Sequence, residues 1–402
     1  MKKILFVDDE PHVLDALRRM LRYMRQEWDT EFVLNAGEAL DRLAVCPFDV
    51  VVSDMRMPGM DGAQLLEQVR RLSPATVRIV LSGHCDREAV MRTVKVAHQF
   101  LTKPCDSEDI KTMVKRACRL ADRLSDPWHR ELVSRVTSVP SSLSDYIQLA
   151  AELEADEPSV ERVGAIVARD VGAAAKLLQL VSSSFFGSPR ASSNPAHWAG
   201  WLGIDTVKLL VLREGAVRAP KAGTAMSSTL EALTAHSLLV ARSAKLLMES
   251  EKGSATQIDH AYLAGLLHDV GLFILAEHLP ERVAQIWASS QNEKVSAWEI
   301  EHASFGVTHA DIGGYLLALW GAPDAVVETT VLHHTPALSP ETAFGVLTAV
   351  HVANAVANAA DLDLPAGPPF VDMEYLERIG CADRLPRWRE LCHAVQAEEV
   401  LS

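Results

Sequence analysis

The ten residues Val50-Val51-Val52-Ser53-Asp54-Met55-Arg56-Met57-Pro58-Gly59 constrain this chain more than any other stretch. An apolar run stops at a carboxylate, and a turn with Pro58 and Gly59 follows. Such a run suits a strand buried on both faces. Parallel α/β sheets carry their chemistry at the C-terminal edge of strands like this one. Asp54 therefore reads as a phosphoacceptor at a sheet edge, with the rest of the chain either loading it or responding to it.

The flanking sequence repeats the pattern. Ile4-Leu5-Phe6-Val7 ends at Asp8, Asp9 and Glu10. A weaker strand is expected over 31–34, another over 77–81 ending at Ser82, and a short one over 99–102 before Lys103-Pro104. Helical periodicity falls between them, at 11–25, 36–43, 61–72, 86–97 and 107–124. Pro11 opens the first helix and Ser107 caps the last. Five βα units predict a doubly wound, flavodoxin-like parallel sheet with helices on both faces.

Asp8, Asp9, Asp54, Ser82 and Lys103 all fall at strand ends, so the topology brings them to one edge. Three carboxylates there raise each other's pKa values, and a hard divalent cation such as Mg²⁺ relieves the repulsion. Lys103 can pair with Asp54 or a phosphoryl oxygen, and Ser82 offers a hydroxyl. Metal, ammonium and hydroxyl together neutralise a phosphoryl group in transfer. Any one of these residues could merely cap a helix; five at five successive positions point to a site.

Residues 1–122 resemble the receiver domain of two-component response regulators. The matching motifs are Val7-Asp8-Asp9-Glu10-Pro11, Ser53 to Gly62, Leu81-Ser82-Gly83 and Phe100-Leu101-Thr102-Lys103-Pro104. The resemblance implies that Asp54 takes a phosphoryl group from a histidine kinase. It implies Mg²⁺ on Asp9 and Asp54, with Asp8 assisting and the Arg56 carbonyl as a further ligand. It also implies that Ser82 turns to the phosphate and that Phe100 is an aromatic switch. By its residue type alone, Phe100 is equally a core aromatic. The face made by 86–97, 99–102 and 107–124 is the expected conduit to the rest of the chain.

Beyond about Pro140 strand signals vanish. Helices are expected at 146–153, 159–168, 172–182, 206–217, 229–249, 259–279, 281–290, 296–320, 323–333 and 341–360. A proline-rich stretch and helices at 373–379 and 384–400 follow. This is an all-α region without a fixed-period repeat. Histidines and acids gather in it: His236, the His268-Asp269 pair in an apolar run, Glu301-His302, His309, His333-His334, His351 and Asn354. A buried His-Asp pair without a partner is costly, and a metal would supply that partner.

The region 135–355 resembles the HD superfamily of metal-dependent phosphohydrolases, and more closely its divergent branch, the HDOD output domains. Beside the histidines, the matching marks are Val139-Pro140, the segment around Asp170, Ser183-Ser184-Phe185-Phe186-Gly187, Leu202-Gly203, Glu301 with Gly306, His309 and Gly313, and Trp320-Gly321-Ala322-Pro323. The resemblance implies an all-α HD-like fold, with His236, His268, Asp269, His309, His333, His334 and Asn354 as a vestigial or working site for a transition metal. Asn354 stands where a working site has an aspartate. Leu272 stands where a phosphate-holding lysine often follows, and Thr335-Pro336-Ala337 replaces Gly-Tyr-Pro after the paired histidines. The histidines are equally readable as core or partner-contacting groups. His302 and His309, seven apart, are expected as a polar stripe on one helix face.

Composition narrows the partners. The 402 residues are 48% hydrophobic and 23% charged, with a formal net charge of -14. That balance, with no basic recognition helix, disfavours direct nucleic-acid binding. Cys46, Cys85, Cys105, Cys118, Cys381 and Cys392 form no CxxC pair, which suits a reducing compartment. The apolar N-terminal stretch is too short for a signal peptide, and no uninterrupted apolar run approaches the roughly 18 residues of a membrane span. The expectation is a cytoplasmic response regulator with a receiver domain at 1–122, a helical linker at 123–138, an HDOD output domain at 139–355 and a helical appendage at 356–402. An unidentified output protein is the expected partner, and a homodimer is possible because receiver domains often dimerise. The alternative is a phospho-regulated phosphohydrolase.

Overall fold

The apolar runs of the first hundred residues form five strands: β1 Lys2–Val7, β2 Trp28–Val33, β3 Val50–Asp54, β4 Val77–Gly83 and β5 Gln99–Lys103. The computed structural model describes every residue except 84–90, 106, 122–123, 125, 187–192, 360–369 and 402, and the side chains of all but these and 107, 117–121 and 399–401. The sheet order is β2-β1-β3-β4-β5, and every pairing is parallel. All five residues of β3 are buried, as a central strand covered on both faces requires. Val7 lies opposite Ser53, Asp54 opposite Leu81 and Gly83 opposite Lys103, so the polar strand ends share one edge.

Helices α1 Pro11–Met20, α2 Ala36–Val45, α3 Gly62–Leu72 and α4 Ser107–Ala121 accompany the sheet. Helix α1 stops at Met20, before a 3-10 turn over Arg22–Met24, rather than running to 25. The expected helix at 86–97 lies partly outside the described residues. Asp61 opens α3 with a capping box, and its first residue, Gly62, presses on the end of β3. A Cβ at Gly62 would stand 2.2 Å from the Asp54 carbonyl oxygen, so only glycine permits this approach.

A short helix, α5 Pro127–Arg135, leads to the helical region. That region runs through α6 Leu143–Glu154, α7 Val160–Arg169, α8 Val171–Val181, α9 Trp198–Leu202 and α10 Ile204–Lys208. It continues with α11 Ala225–Ser250, α12 Ala255–Leu267, α13 Val270–His278, α14 Pro280–Glu293 and α15 Ala297–Phe305. Helices α16 His309–Leu319, α17 Asp324–Leu332 and α18 Val346–Asn358 complete the site-bearing part. The tail helices are α19 Met373–Arg378 and α20 Leu385–Leu401. The tail is bound into the fold: Trp388 donates to Glu251, and the Tyr375 and Thr348 hydroxyls pair.

Several expected helices are broken, each for a local reason. The segment 259–279 divides at His268-Asp269 into α12 and α13. The segment 296–320 divides at Gly306, whose φ of 72° ends α15 in a left-handed cap. His302 and His309 therefore do not share a helix face; His302 is exposed and His309 buried. The helices expected at 159–168 and 172–182 are separate as read, and they meet at Asp170, whose carboxylate caps α8. The segment 206–217 becomes α10 followed by a π-helical turn over Leu209–Arg213. Residues Ala255–His278 are together long and apolar enough to cross a membrane, although their apolar stretches are interrupted at His268-Asp269. They are 78% buried within the helical region, as a core element of a globular fold is.

Candidate functional site

The sheet edge assembles as its strand ends dictate. Lys103 Nζ lies 2.6 Å from Asp8 Oδ2 and also pairs with Asp54 Oδ1, so one ammonium braces two buried carboxylates. The Arg56 amide donates to Asp54 Oδ2 at 2.9 Å, and the Glu10 amide to Asp8 Oδ1 at 3.1 Å. Burial raises the Asp54 pKa, and Lys103 opposes that rise. Burial also pulls on Lys103, but its bonds to Asp54 and Asp8 outweigh this and raise its pKa. Ser82 is buried at the same edge, level with Thr102. Hard oxygens from Asp8 and Asp54 a few ångströms apart suit Mg²⁺, which takes one or two carboxylates and keeps its waters.

Phe100 is fully buried, one strand over from Asp54. It meets Phe186 of the helical region edge to face, with centroids 6.3 Å apart. Two residues on, the Thr102 amide donates to Ser184 Oγ at 3.2 Å. The helical region therefore touches β5 on either side of Leu101. Lys176 of α8 is fully buried and donates to Val94 O, Thr137 O and Gln179 Oε1. Gln179 donates to the Ala97 and His98 carbonyls, and Gln99 Nε2 donates to Leu319 O at 2.8 Å. Buried Arg78 reaches Ser134 O of α5. Burial lowers the Lys176 pKa to about 7.

The second cluster forms where helices stop. His236 comes from α11, His268 and Asp269 from the α12–α13 break, His309 from the start of α16, and His333-His334 from the end of α17. Asp269 sits at the centre. Its Oδ2 lies 3.2 Å from His268 Nε2 and 3.7 Å from His236 Nε2. Its Oδ1 lies 3.2 Å from His309 Nε2 and 3.4 Å from His333 Nε2. His334 Nε2 is 3.0 Å from His309 Nε2, and Asn354 Oδ1 is 3.0 Å from His236 Nε2. His351 stands apart, bound to His333 O and to the Asp372 amide.

Hydrogen bonds behind the rings fix their tautomers. His268 Nδ1 is 2.7 Å from Gly265 O, and His333 Nδ1 is 2.8 Å from Thr330 O. A carbonyl only accepts, so each Nδ1 carries a proton, and each Nε2 faces the Asp269 carboxylate. His268 Nε2, His333 Nε2 and Asp269 Oδ1 lie buried without a hydrogen bond. His309 differs: its Nδ1 is held 2.7 Å from the buried Glu301 carboxylate. Burial alone would lower the His309 pKa, but Glu301 and Asp269 raise it to about 10. Burial lowers His236 and His333 to about 4, and the imidazoles around Asp269 hold its carboxyl well below the usual range despite burial. Imidazole nitrogens converging on a carboxylate, with second partners orienting the rings, are donors a divalent transition metal would accept. Two sets could hold such an ion: Asp269 with His309, His333 and His334, and Asp269 with His236 and His268.

Trp298 stacks on His334 at 5.6 Å, and Trp287 and Leu272 complete an apolar wall. The cavity over the cluster is about 40 Å³, room for an ion and a little water. Every histidine expected at this site is there. The sequence reading passed over Trp298, the role of Glu301 behind His309, and the docking residues Lys176, Gln179, Ser184 and Gln99. Lys176 had a signal, as the one charged residue in the apolar segment Val171–Val181.

Residues 139–336 match the HDOD domain family, and residues 4–115 match the response regulator receiver domain family. The hydrogenase transcriptional regulatory protein HoxA of Cupriavidus necator is 37% identical over 139 residues, which are 34% of this chain and 28% of that one. An uncharacterized protein of Treponema pallidum is 23% identical over 271 residues, 64% of this chain and 52% of that one. The chain thus spans between about a quarter and a half of the length of these curated relatives. Among solved structures, a receiver domain protein from Clostridium thermocellum is 26% identical over 31% of this chain and 99% of its own, with a TM-score of 0.29. The receiver domain of an HD domain-containing protein from Pseudomonas fluorescens Pf-5 is 28% identical over 29% of this chain and 85% of its own, with a TM-score of 0.27.

Proposed function

Because this chain joins a response regulator receiver domain to an HDOD domain, we propose that it is a phosphorylation-switched regulator. A histidine kinase loads Asp54, and the helical domain is the output that acts on a protein partner. The observation that carries this reading is Lys103, whose one ammonium holds both Asp8 and Asp54. A phosphoryl group on Asp54 brings negative charge and three acceptor oxygens to that ammonium, and Ser82 lies buried at the same edge. Asp8, Asp9, Asp54 and the Arg56 carbonyl would hold Mg²⁺, which would supply charge to offset the transferring phosphoryl group. Phe100 is the switch element, and its contact with Phe186 passes the change to the helical domain. The proposed divisions are 1–122, 123–138, 139–355 and 356–402, in a cytoplasmic protein with no direct nucleic-acid or membrane role and a homodimer as one possible state. Incubation with acetyl phosphate and Mg²⁺ tests the reading. Wild type is expected to take up one phosphoryl group and Asp54→Asn none; an unlabelled wild type overturns it.

A second reading, a metal-dependent phosphohydrolase, is favoured by the imidazole nitrogens that meet at Asp269. His236, His268, Asp269, His309, His333 and His334 would hold the metal, which would supply a polarised water. Two observations weigh against turnover. Asn354 offers a neutral oxygen to the cluster, and it is already bonded to His236. The cavity of about 40 Å³ is well short of the roughly 300 Å³ at which small-molecule pockets begin. Metal analysis of the purified protein, with phosphodiester turnover compared between wild type and His268→Ala, separates the readings. Turnover lost in the variant establishes the enzyme; bound metal without turnover leaves an interaction output.

A further inference from the structure

The two candidate sites are joined by one helical hairpin. Helix α16 begins at His309, inside the cluster, and ends at Leu319, whose carbonyl accepts from Gln99 of β5. Eleven residues of helix span about 16 Å. Gly321 then turns the chain with φ 82° against Gln99; a Cβ there would meet Gln99 Nε2 at 2.6 Å. Helix α17 runs back. Its first residue, Asp324, meets Arg116 of α4 at 3.0 Å, and its end delivers His333 and His334 to the cluster. Between these ends α16 packs on α4 and α5.

Three of the five imidazoles around Asp269 therefore stand on a hairpin whose turn is seated on the receiver domain. His236, His268 and Asp269 stand instead on α11 and at the α12–α13 break, which pack against each other and, in part, against α18. The two halves pack on each other, α16 on α13 and α17 on α12, and the ring-to-carboxylate distances at Asp269 span that packing. Metal–imidazole bonds tolerate little change in length, whereas packed helices shift by about 1–2 Å in switching proteins. Gln99 lies directly before Phe100, so a change at the switch aromatic begins one residue from the hairpin's anchor.

We propose that the α16–α17 hairpin couples the state of Asp54 to the affinity of the histidine cluster for a divalent transition metal. This rests on both readings above: a receiver that responds at Asp54, and a cluster that binds metal. Linkage then requires reciprocity, so metal on the cluster changes the affinity of the receiver for a phosphoryl mimic by the same factor.

The test uses the full chain in excess Mg²⁺, with beryllium fluoride as the phosphoryl mimic and Co²⁺ as the metal probe. Co²⁺ affinity is read from its visible absorption, and His309→Ala assigns the signal to the cluster. Beryllium fluoride is expected to change Co²⁺ affinity by about fivefold or more, and Co²⁺ to change beryllium fluoride affinity equally. Gln99→Ala with Arg116→Ala, neither in a site, is expected to bring both ratios towards one while each ligand still binds. Two ligands that bind independently in wild type overturn the proposal and leave both parent readings standing. Full coupling in the double variant overturns the hairpin as its route. No Co²⁺ bound at the cluster overturns the proposal together with the metal reading, and no beryllium fluoride bound overturns it together with the receiver reading.

Discussion

The two sites solve opposite electrostatic problems with the same economy. At the sheet edge carboxylates are in excess, and a single ammonium, Lys103, braces Asp8 and Asp54. In the helical domain imidazoles are in excess, and a single carboxylate, Asp269, faces four of them. The first arrangement holds together because Lys103 offsets the repulsion between Asp8 and Asp54. The second leaves His268 Nε2 and His333 Nε2 buried beside Asp269 without a hydrogen bond. The carboxylate edge is thus complete as an ion-pair network that a phosphoryl group can perturb. Both depend on a glycine pressed against the backbone of a site residue: Gly62 on the Asp54 carbonyl, Gly271 on the His309 carbonyl.

The largest expected effect separates the sites outright. Asp54→Asn should abolish phosphoryl labelling while leaving metal binding at the cluster intact, read by labelling with acetyl phosphate and by metal content. Loss of both would show that the sites are not separable.

Next come the glycines. A Cβ at Gly271 would stand 1.9 Å from His309 O, which forces α13 and α16 apart and is expected to cost about 3 kcal/mol. Gly62→Ala should cost a similar amount for the same reason, at 2.2 Å from Asp54 O. Chemical denaturation should show two separate losses, Gly62→Ala in the transition of the sheet and Gly271→Ala in that of the helices. A neutral result for either would mean that its helix can slide.

A smaller effect tests the contact between the domains. Phe186→Ala removes the aromatic partner of Phe100 and should destabilise the docked arrangement by roughly 1–3 kcal/mol. Protease cleavage within the linker, compared with wild type, reads this. Unchanged cleavage would reduce that contact to ordinary packing.

The smallest effect is a pH dependence. The folded pKa of Lys176, about 7, lies below its unfolded value. Between about 7 and about 10.4 the unfolded chain binds the extra proton, so this group makes stability rise with pH across that window and level off below about 7. Lys176→Met should flatten that part of the urea midpoint profile. A profile unchanged by the substitution would mean that the ammonium stays charged against Val94 O, Thr137 O and Gln179.

Most of the first site was readable in the chain, because a strand end fixes where the next residue goes. Once 50–54 and 77–83 are parallel neighbours, Asp54 and Ser82 have no other edge to occupy. The members of the histidine cluster were readable too, but their geometry was not. The segments 259–279 and 296–320 carry helical periodicity throughout, and the breaks at His268-Asp269 and Gly306 came from packing and a left-handed cap. Those breaks decide that His309 joins the cluster and His302 does not. The interface escaped the sequence because its bonds mostly run from Lys176, Gln179 and Gln99 to backbone carbonyls, and a carbonyl has no residue identity.

The sequence by itself determined the parallel sheet, the all-helical second domain and the residue types of both sites, since periodicity and strand-end chemistry are local properties. Tertiary structure alone decided which atoms of Asp269 face which rings, that Lys176 is buried between the domains, and that one hairpin reaches from β5 to the cluster. Those are distances between segments tens to hundreds of residues apart, and only the packing of side chains sets them.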